Sequence, residues 1–267
     1  MHDMLAHTIQ GDGPVVVLIH GFCENKSLWT EYATSLSKHY TIICLDLPGF
    51  GESAPEFAEA VTMEYYAKRV HELLDHVLER ERQVTMIGHS LGGYVTLAYA
   101  ELYGEQLNGI GLFHSSAFAD DEEKKLSRVK VAEYIQEKGV APFTDNFVEP
   151  LFYVANRNRL ATEINALKEQ ARQSSKEGAV AATYAMKERV ERISLLSTLA
   201  YPVLFILGKN DTVVTLEKGL EQCQLPMQSL VFIVDKVLHM GMLEEKEKCL
   251  SILNNFISLC EIKNKGY

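Results

Sequence analysis

Apolar positions fall into short continuous runs at residues 5–10, 15–20, 41–45, 84–87, 110–114, 203–207 and 230–234. Several of these are unbroken and not alternating, the pattern of parallel strands covered on both faces. Amphipathic segments lie between most of them. Residues 28–36 bring Trp29, Tyr32, Ala33 and Leu36 to one side, and 63–78 do the same with Tyr66, Val70, Leu73, Leu74 and Val77. Thr62 is a natural N-cap for the second. Residues 94–103 are almost wholly apolar, which suits a helix buried against a sheet, and 246–260 carry Leu250, Leu253, Phe256 and Ile257. Strands alternating with helices predict an α/β fold, a mainly parallel twisted sheet flanked by helices.

The alternation stops in the middle of the chain. Residues 121–137, 142–153, 159–173 and 176–192 read as helices, punctuated by Gly139, Pro142, Pro150 and Gly178. The expected organisation is therefore a core in two parts, 1–115 and 198–267, with an inserted all-helical cap over 116–197. Charge separates the same segment. The chain of 267 residues has a net charge of −10, yet residues 116–197 hold 13 acidic and 13 basic residues, so the imbalance lies in the core.

An acidic chain without a basic stripe argues against nucleic-acid binding, which needs positive charge to neutralise phosphates. No apolar run approaches the roughly 18–20 residues of a membrane span. The first residues, MHDMLAHTIQGDG, show neither the basic nor the apolar part of a secretory signal. Cys23, Cys44, Cys223, Cys249 and Cys260 are odd in number and scattered, as expected for reduced core thiols in a cytoplasmic protein.

The candidate chemistry begins at Gly88-His89-Ser90-Leu91-Gly92, a G-x-S-x-G between a strand-like run and a helix-like one. Glycines at −2 and +2 permit a very tight turn that projects the Ser90 hydroxyl. A serine needs a base to become a nucleophile, and the base needs an acid to fix its tautomer. Of nine histidines, His239 lies after the last strand, where an α/β sheet presents ligand-binding groups. His89 and His114 lie near the expected pocket but not where a base is expected, and His20 reads as a structural ring bonded to its own loop. Asp211, just beyond the strand that returns from the cap, is the candidate acid, with Asp235 and Asp120 as competitors. An oxyanion hole needs two backbone N–H groups. Leu91, after the serine, and Phe22, after the sharp turn at Gly21, are the candidates. Phe143, Phe147, Phe152 and Tyr153 of the cap, with Met240 beside His239, are candidates for an apolar substrate pocket; the cap residues suit the cap's own core equally well.

Taken together, HGF at 20–22, DLPGFGES at 46–53, GHSLGG at 88–93, LGKND at 207–211 and HMGMLEE at 239–245 resemble the α/β-hydrolase superfamily, in particular its compact members with a helical cap. The resemblance implies Ser90 as nucleophile, His239 as base, Asp211 as acid and Phe22 and Leu91 as oxyanion donors, with no cofactor and no metal. Ser90 disfavours the dehalogenases and epoxide hydrolases of this fold, which carry aspartate there. Leu91 disfavours prolyl aminopeptidases, and Tyr94 disfavours the lyase of menaquinone synthesis, which usually has arginine at that place. The expected activity is hydrolysis of small to medium carboxylic esters or lactones, so the expected partner is a small-molecule ester. Carbon–carbon bond hydrolysis, a related lyase activity and a receptor that retains the triad are the alternatives.

Overall fold

The computed structural model of the chain describes residues 3–55, 60–78 and 83–264. Seven strands form one sheet: β1 (His7–Gln10), β2 (Val15–Ile19), β3 (Thr41–Leu45), β4 (Val84–His89), β5 (Leu107–Phe113), β6 (Val203–Gly208) and β7 (Ser229–Val234). Their spatial order is β1-β3-β2-β4-β5-β6-β7. β1 runs antiparallel to β3 and the remaining pairs are parallel. Every residue of β2 to β6 is buried, whereas the edge strands β1 and β7 are partly exposed. Two-sided burial is why the central runs are continuously apolar.

The core helices are α1 (Thr30–Leu36), α2 (Met63–Val77) and α3 (Leu91–Tyr103), followed late in the chain by three more. Thr62 caps α2 by accepting the Tyr65 N–H. α3 is nearly all buried, as its composition requires. Between β5 and β6 the described chain holds only helices: α4 (Glu122–Lys138), α5 (Val140–Phe147), α6 (Ala161–Arg172), α7 (Lys176–Glu188) and the short α8 (Ile193–Leu196). α4 packs along α7. The insertion is seated on the core by a glycine pair: a Cβ on Gly178 of α7 would lie 2.5 Å from the Cα of Gly49, and the Ser175 N–H bonds the Gly49 carbonyl at 3.1 Å.

Several bounds differ from the sequence pattern for local reasons. The helix expected over 142–153 stops at Phe147 and gives way to a 3₁₀ turn, Glu149–Leu151, because Pro150 lacks the N–H that would continue it. The helix expected to 192 ends at Glu188; Arg189 turns extended, its guanidinium drawn to the Phe118 carbonyl and the Asp120 carboxylate. β5 begins at Leu107, earlier than its apolar run. Asn108, Gly109 and Gly111 disguise it, and Gly109 is needed because a Cβ there would meet Cys260 Sγ at 2.3 Å.

The last core helices are α9 (Leu216–Cys223), α10 (Gly241–Glu244) and α11 (Lys246–Asn264), of which the pattern of apolar positions foretold only the third. All five cysteines are buried thiols. Among the described residues, no helix is long and apolar enough to cross a membrane.

Candidate active site

The chain runs from β2 outward to β3 and then returns, so that β4 lies on the other side of β2. That reversal is a topological switch point at the C-terminal ends of β2 and β4, the place where open α/β sheets bind ligands. The HGF loop follows β2 and the G-x-S-x-G turn closes β4, so topology alone brings these motifs together.

Ser90 stands between β4 and α3 with φ 48° and ψ −110°. A non-glycine residue held at positive φ is strained by about 1–3 kcal/mol and needs its surroundings to hold it there. Its N–H bonds the Phe113 carbonyl at 3.0 Å, and its carbonyl accepts the Ser115 hydroxyl at 2.7 Å. The flanking glycines are steric necessities. A Cβ on Gly88 would lie 2.2 Å from the Gly92 backbone, and one on Gly92 would lie 2.5 Å from the Ile19 carbonyl oxygen. Leu91 is the first residue of α3, where a helix leaves N–H groups without intrahelical partners.

His239 and Asp211 meet directly. His239 Nδ1 lies 2.8 Å from Asp211 Oδ2, with both side chains buried. Oδ1 of the same carboxylate accepts the Val213 and Val214 N–H groups at 2.8 and 3.1 Å. Burial alone would raise the Asp211 carboxyl, but the neighbouring imidazoles override it and hold the group well below the usual carboxylate range. The ionised acid fixes the Nδ1–H tautomer of His239 and leaves Nε2 free to take a proton. The backbone of His239 is pinned on both sides, its N–H to the Leu151 carbonyl and its carbonyl to His89 Nε2, each at 3.0 Å.

The competing acids are engaged elsewhere. Asp235 pairs with Lys209 at 3.1 Å on the surface, and Asp120 with Arg128 and Arg189 at the root of α4. His20 bonds the Gly21 carbonyl through Nδ1 at 2.7 Å and accepts the Leu47 N–H at Nε2. It is the loop-bonded ring that its position suggested. Burial lowers its pKa, which keeps it neutral.

Two contacts escape a reading of the sequence. His114, at φ 47° just after β5, places Nδ1 3.4 Å from Asp211 Oδ2, with the Gly208 N–H directed at Nδ1 and the Gly241 N–H at Nε2, each at 3.1 Å. Burial pushes His114 down to about 4, so the ring is neutral. Asp211 thus faces two imidazoles. The second contact joins Glu24 to His89, 65 positions apart in the chain, with Oε2 and Nδ1 separated by 2.9 Å. No local pattern encodes either pair.

Phe22 lies under the helical insertion. Its ring packs edge-on against Phe143, Phe147 and Phe50 at centroid distances of 6.0, 5.9 and 6.1 Å. Phe143 and Phe147 stack on each other at 4.9 Å and also line an open cavity of about 460 Å³ between α4 and α5. Phe152 and Met240 are fully buried. The arrangement gathers a strained serine, an imidazole oriented by a carboxylate, and a helix N-terminus; such a set is equipped for attack on a carbonyl carbon.

A profile of the alpha/beta hydrolase fold matches residues 14–246, and the chain belongs to that family. Among solved structures it is similar to a thermophilic esterase from Thermogutta terrifontis, with a TM-score of 0.91 and 26% identity over 96% of this chain and 93% of that one. It is 24% identical over 258 residues to a 2-hydroxy-6-oxo-6-(2'-aminophenyl)hexa-2,4-dienoic acid hydrolase from Metapseudomonas resinovorans, covering 93% of this chain and 85% of the relative. An uncharacterised protein of Mycobacterium bovis is 34% identical over 116 residues, 43% of this chain but only 33% of that relative's length. The chain has the alpha/beta hydrolase fold, which it shares with the thermophilic esterase.

Proposed function

We propose that the protein is a serine hydrolase of small to medium carboxylic esters or lactones. The observation that carries the reading is the buried 2.8 Å contact of His239 with Asp211, in a site where Ser90 is held at φ 48°. Ser90 Oγ attacks the ester carbonyl while His239 Nε2 takes its proton. The carbonyl oxygen becomes an oxyanion held by the Phe22 and Leu91 N–H groups. The tetrahedral adduct collapses, the carbon–oxygen bond to the alcohol breaks, and His239 returns the proton to the leaving alkoxide. Water, deprotonated by His239, then releases the acid from Ser90 and restores the serine. No metal or cofactor enters these steps.

The insertion over 116–197 acts as the cap in this reading. Phe143 and Phe147 form the apolar wall above Phe22, while Phe152 and Met240 back the pocket from inside the core. The buried cysteine thiols fit a protein of the reducing cytoplasm. The likeness to the dienoic acid hydrolase supports a second reading, carbon–carbon bond hydrolysis with the same residues. A panel of p-nitrophenyl esters of graded acyl length, run beside a vinylogous diketone, tests both. Ester turnover that changes chain-length preference in Phe147→Ala is the expected result. Turnover of the diketone alone would favour the second reading, and turnover of neither would reject both.

A further inference from the structure

Two buried charged side chains have no part in the steps above, yet they sit where three loops meet. Glu24, in the loop after β2, and His89, the last residue of β4, are 5% and 1% exposed. Glu24 Oε2 accepts the Gly21 N–H at 2.5 Å and lies 2.9 Å from His89 Nδ1. The other nitrogen of that ring, Nε2, lies 3.0 Å from the backbone carbonyl oxygen of His239. A carbonyl oxygen only accepts, so Nε2 carries a hydrogen. The pairing holds Glu24 ionised, below its ordinary pKa, so the hydrogen between Oε2 and Nδ1 sits on the ring. The pair is an imidazolium donating at both nitrogens and a carboxylate accepting twice.

The charges sustain each other. Burial works to lower the His89 pKa, but the Glu24 charge overrides it and the ring is held above its ordinary value; Glu24 is held below its own by the same pairing. The other titratable groups around His89 come from four elements: His20 in the loop after β2, His114 after β5, Asp211 after β6 and His239 after β7. His20 and His114 are neutral, which leaves Glu24 and Asp211 as the negative charges that favour the imidazolium.

Resting on the serine-hydrolase reading, we propose that Glu24 and His89 are positioning residues. Their charge pair clamps the oxyanion loop at Gly21, the nucleophile turn at His89 and the base loop at the His239 carbonyl, fixing Phe22 N–H, Ser90 and His239 relative to one another. Transition-state stabilisation depends on such preorganisation, and a 1 Å displacement costs on the order of 10²-fold in rate.

The clamp has a titration signature. His89 has a raised folded pKa, so its contribution is complete at lower pH and is lost as pH rises through that value. Deprotonated Nδ1 then turns a lone pair toward the Glu24 carboxylate. In Glu24→Gln the amide oxygen takes the place of Oε2 and accepts from both the Gly21 N–H and the ring Nδ1–H, so the geometry survives while His89 stays protonated. Without the carboxylate charge the ring loses its second proton more easily, so the alkaline fall moves to lower pH.

The test is kcat and KM for p-nitrophenyl acetate from about pH 5 to about pH 10 in wild type, E24A, E24Q and S90A. E24A should lose about 10²-fold in kcat with KM changed by less than about three-fold. At the acid end of the range E24Q should recover at least about ten-fold over E24A, and its alkaline fall should come at lower pH than in the wild type. An E24A kcat within about three-fold of wild type, a wild-type profile without an alkaline fall, or an E24Q fall at the wild-type pH would each overturn the clamp. Should E24A not fold, the E24Q profile decides alone. Turnover abolished in S90A keeps the underlying hydrolase reading standing even where the clamp fails; turnover that survives in S90A overturns both.

Discussion

His239 and Asp211, 28 positions apart, meet through Nδ1 and Oδ2 at 2.8 Å while the second carboxylate oxygen is occupied by two backbone N–H groups. The backbone donors leave the acid no freedom to rotate away from the imidazole. Asp211→Asn keeps the shape but can turn an N–H toward Nδ1, which then has to accept and strands its hydrogen on Nε2. The expected result is a kcat loss of about 10³–10⁴-fold with the fold intact. Steady-state kinetics with circular dichroism as the fold control check this. A near-wild-type D211N enzyme, with activity lost in Asp235→Asn or Asp120→Asn, would move the acid elsewhere.

The same carboxylate links stability to acid pH. Burial raises the Asp211 pKa but the imidazoles lower it further, so its folded value lies below the ordinary 3.8. As pH falls the unfolded chain takes up the proton first. The stabilising contribution is therefore complete above the ordinary value and is lost as pH drops below it. Thermal unfolding between about pH 5 and about pH 3 should show a shallower decline of Tm in D211N than in wild type. Parallel declines would mean that Asp211 is not the coupled group.

Glu244 ties the base loop to the helical insertion. Its Oε2 accepts from Tyr153 N at 2.7 Å and from Asn156 Nδ2 at 2.9 Å, and its Oε1 accepts from Leu238 N at 3.0 Å. Every neighbour is a donor, so Glu244→Gln sets an amide NH₂ against an N–H wherever it rotates. Burying that mismatch should cost about 1–3 kcal/mol, a Tm lower by several degrees. Calorimetry on the two proteins measures it, and an unchanged Tm would show that the loop adjusts freely.

How much of this could be read from the sequence differs with the range of the interaction. β3 appears over the same residues, 41–45, that the apolar run marks, because a strand buried on both faces leaves no ambiguity. α9 was not foreseen: only four of its eight residues are apolar, counting Gly219, although Thr215 caps it and Glu217 follows in its first turn. The positions of Ser90, Asp211 and His239 just past strand ends are legible because β4, β6 and β7 are recognisable runs. The contacts of Glu24, His89 and His114 are not, since each depends on a partner brought close only by the sheet: the N–H of Gly241, 127 positions away, is directed at His114. Of the apolar candidates, Phe143 and Phe147 contact Phe22, whereas Phe152 is enclosed in the core; aromatic residues in a helical insertion look alike until its packing is known.

The central claim, that Ser90 is a nucleophile activated by His239, is tested most directly by covalent labelling. A fluorophosphonate loses fluoride to an attacking oxygen and leaves a tetrahedral phosphonyl adduct that mimics the ester intermediate. Intact-mass measurement should show one adduct per chain, and peptide mapping should place it on Ser90. S90A should remain unlabelled, and H239A should label at least about 10³-fold more slowly. An adduct mapped to another residue, or labelling that persists in S90A, would contradict the assignment.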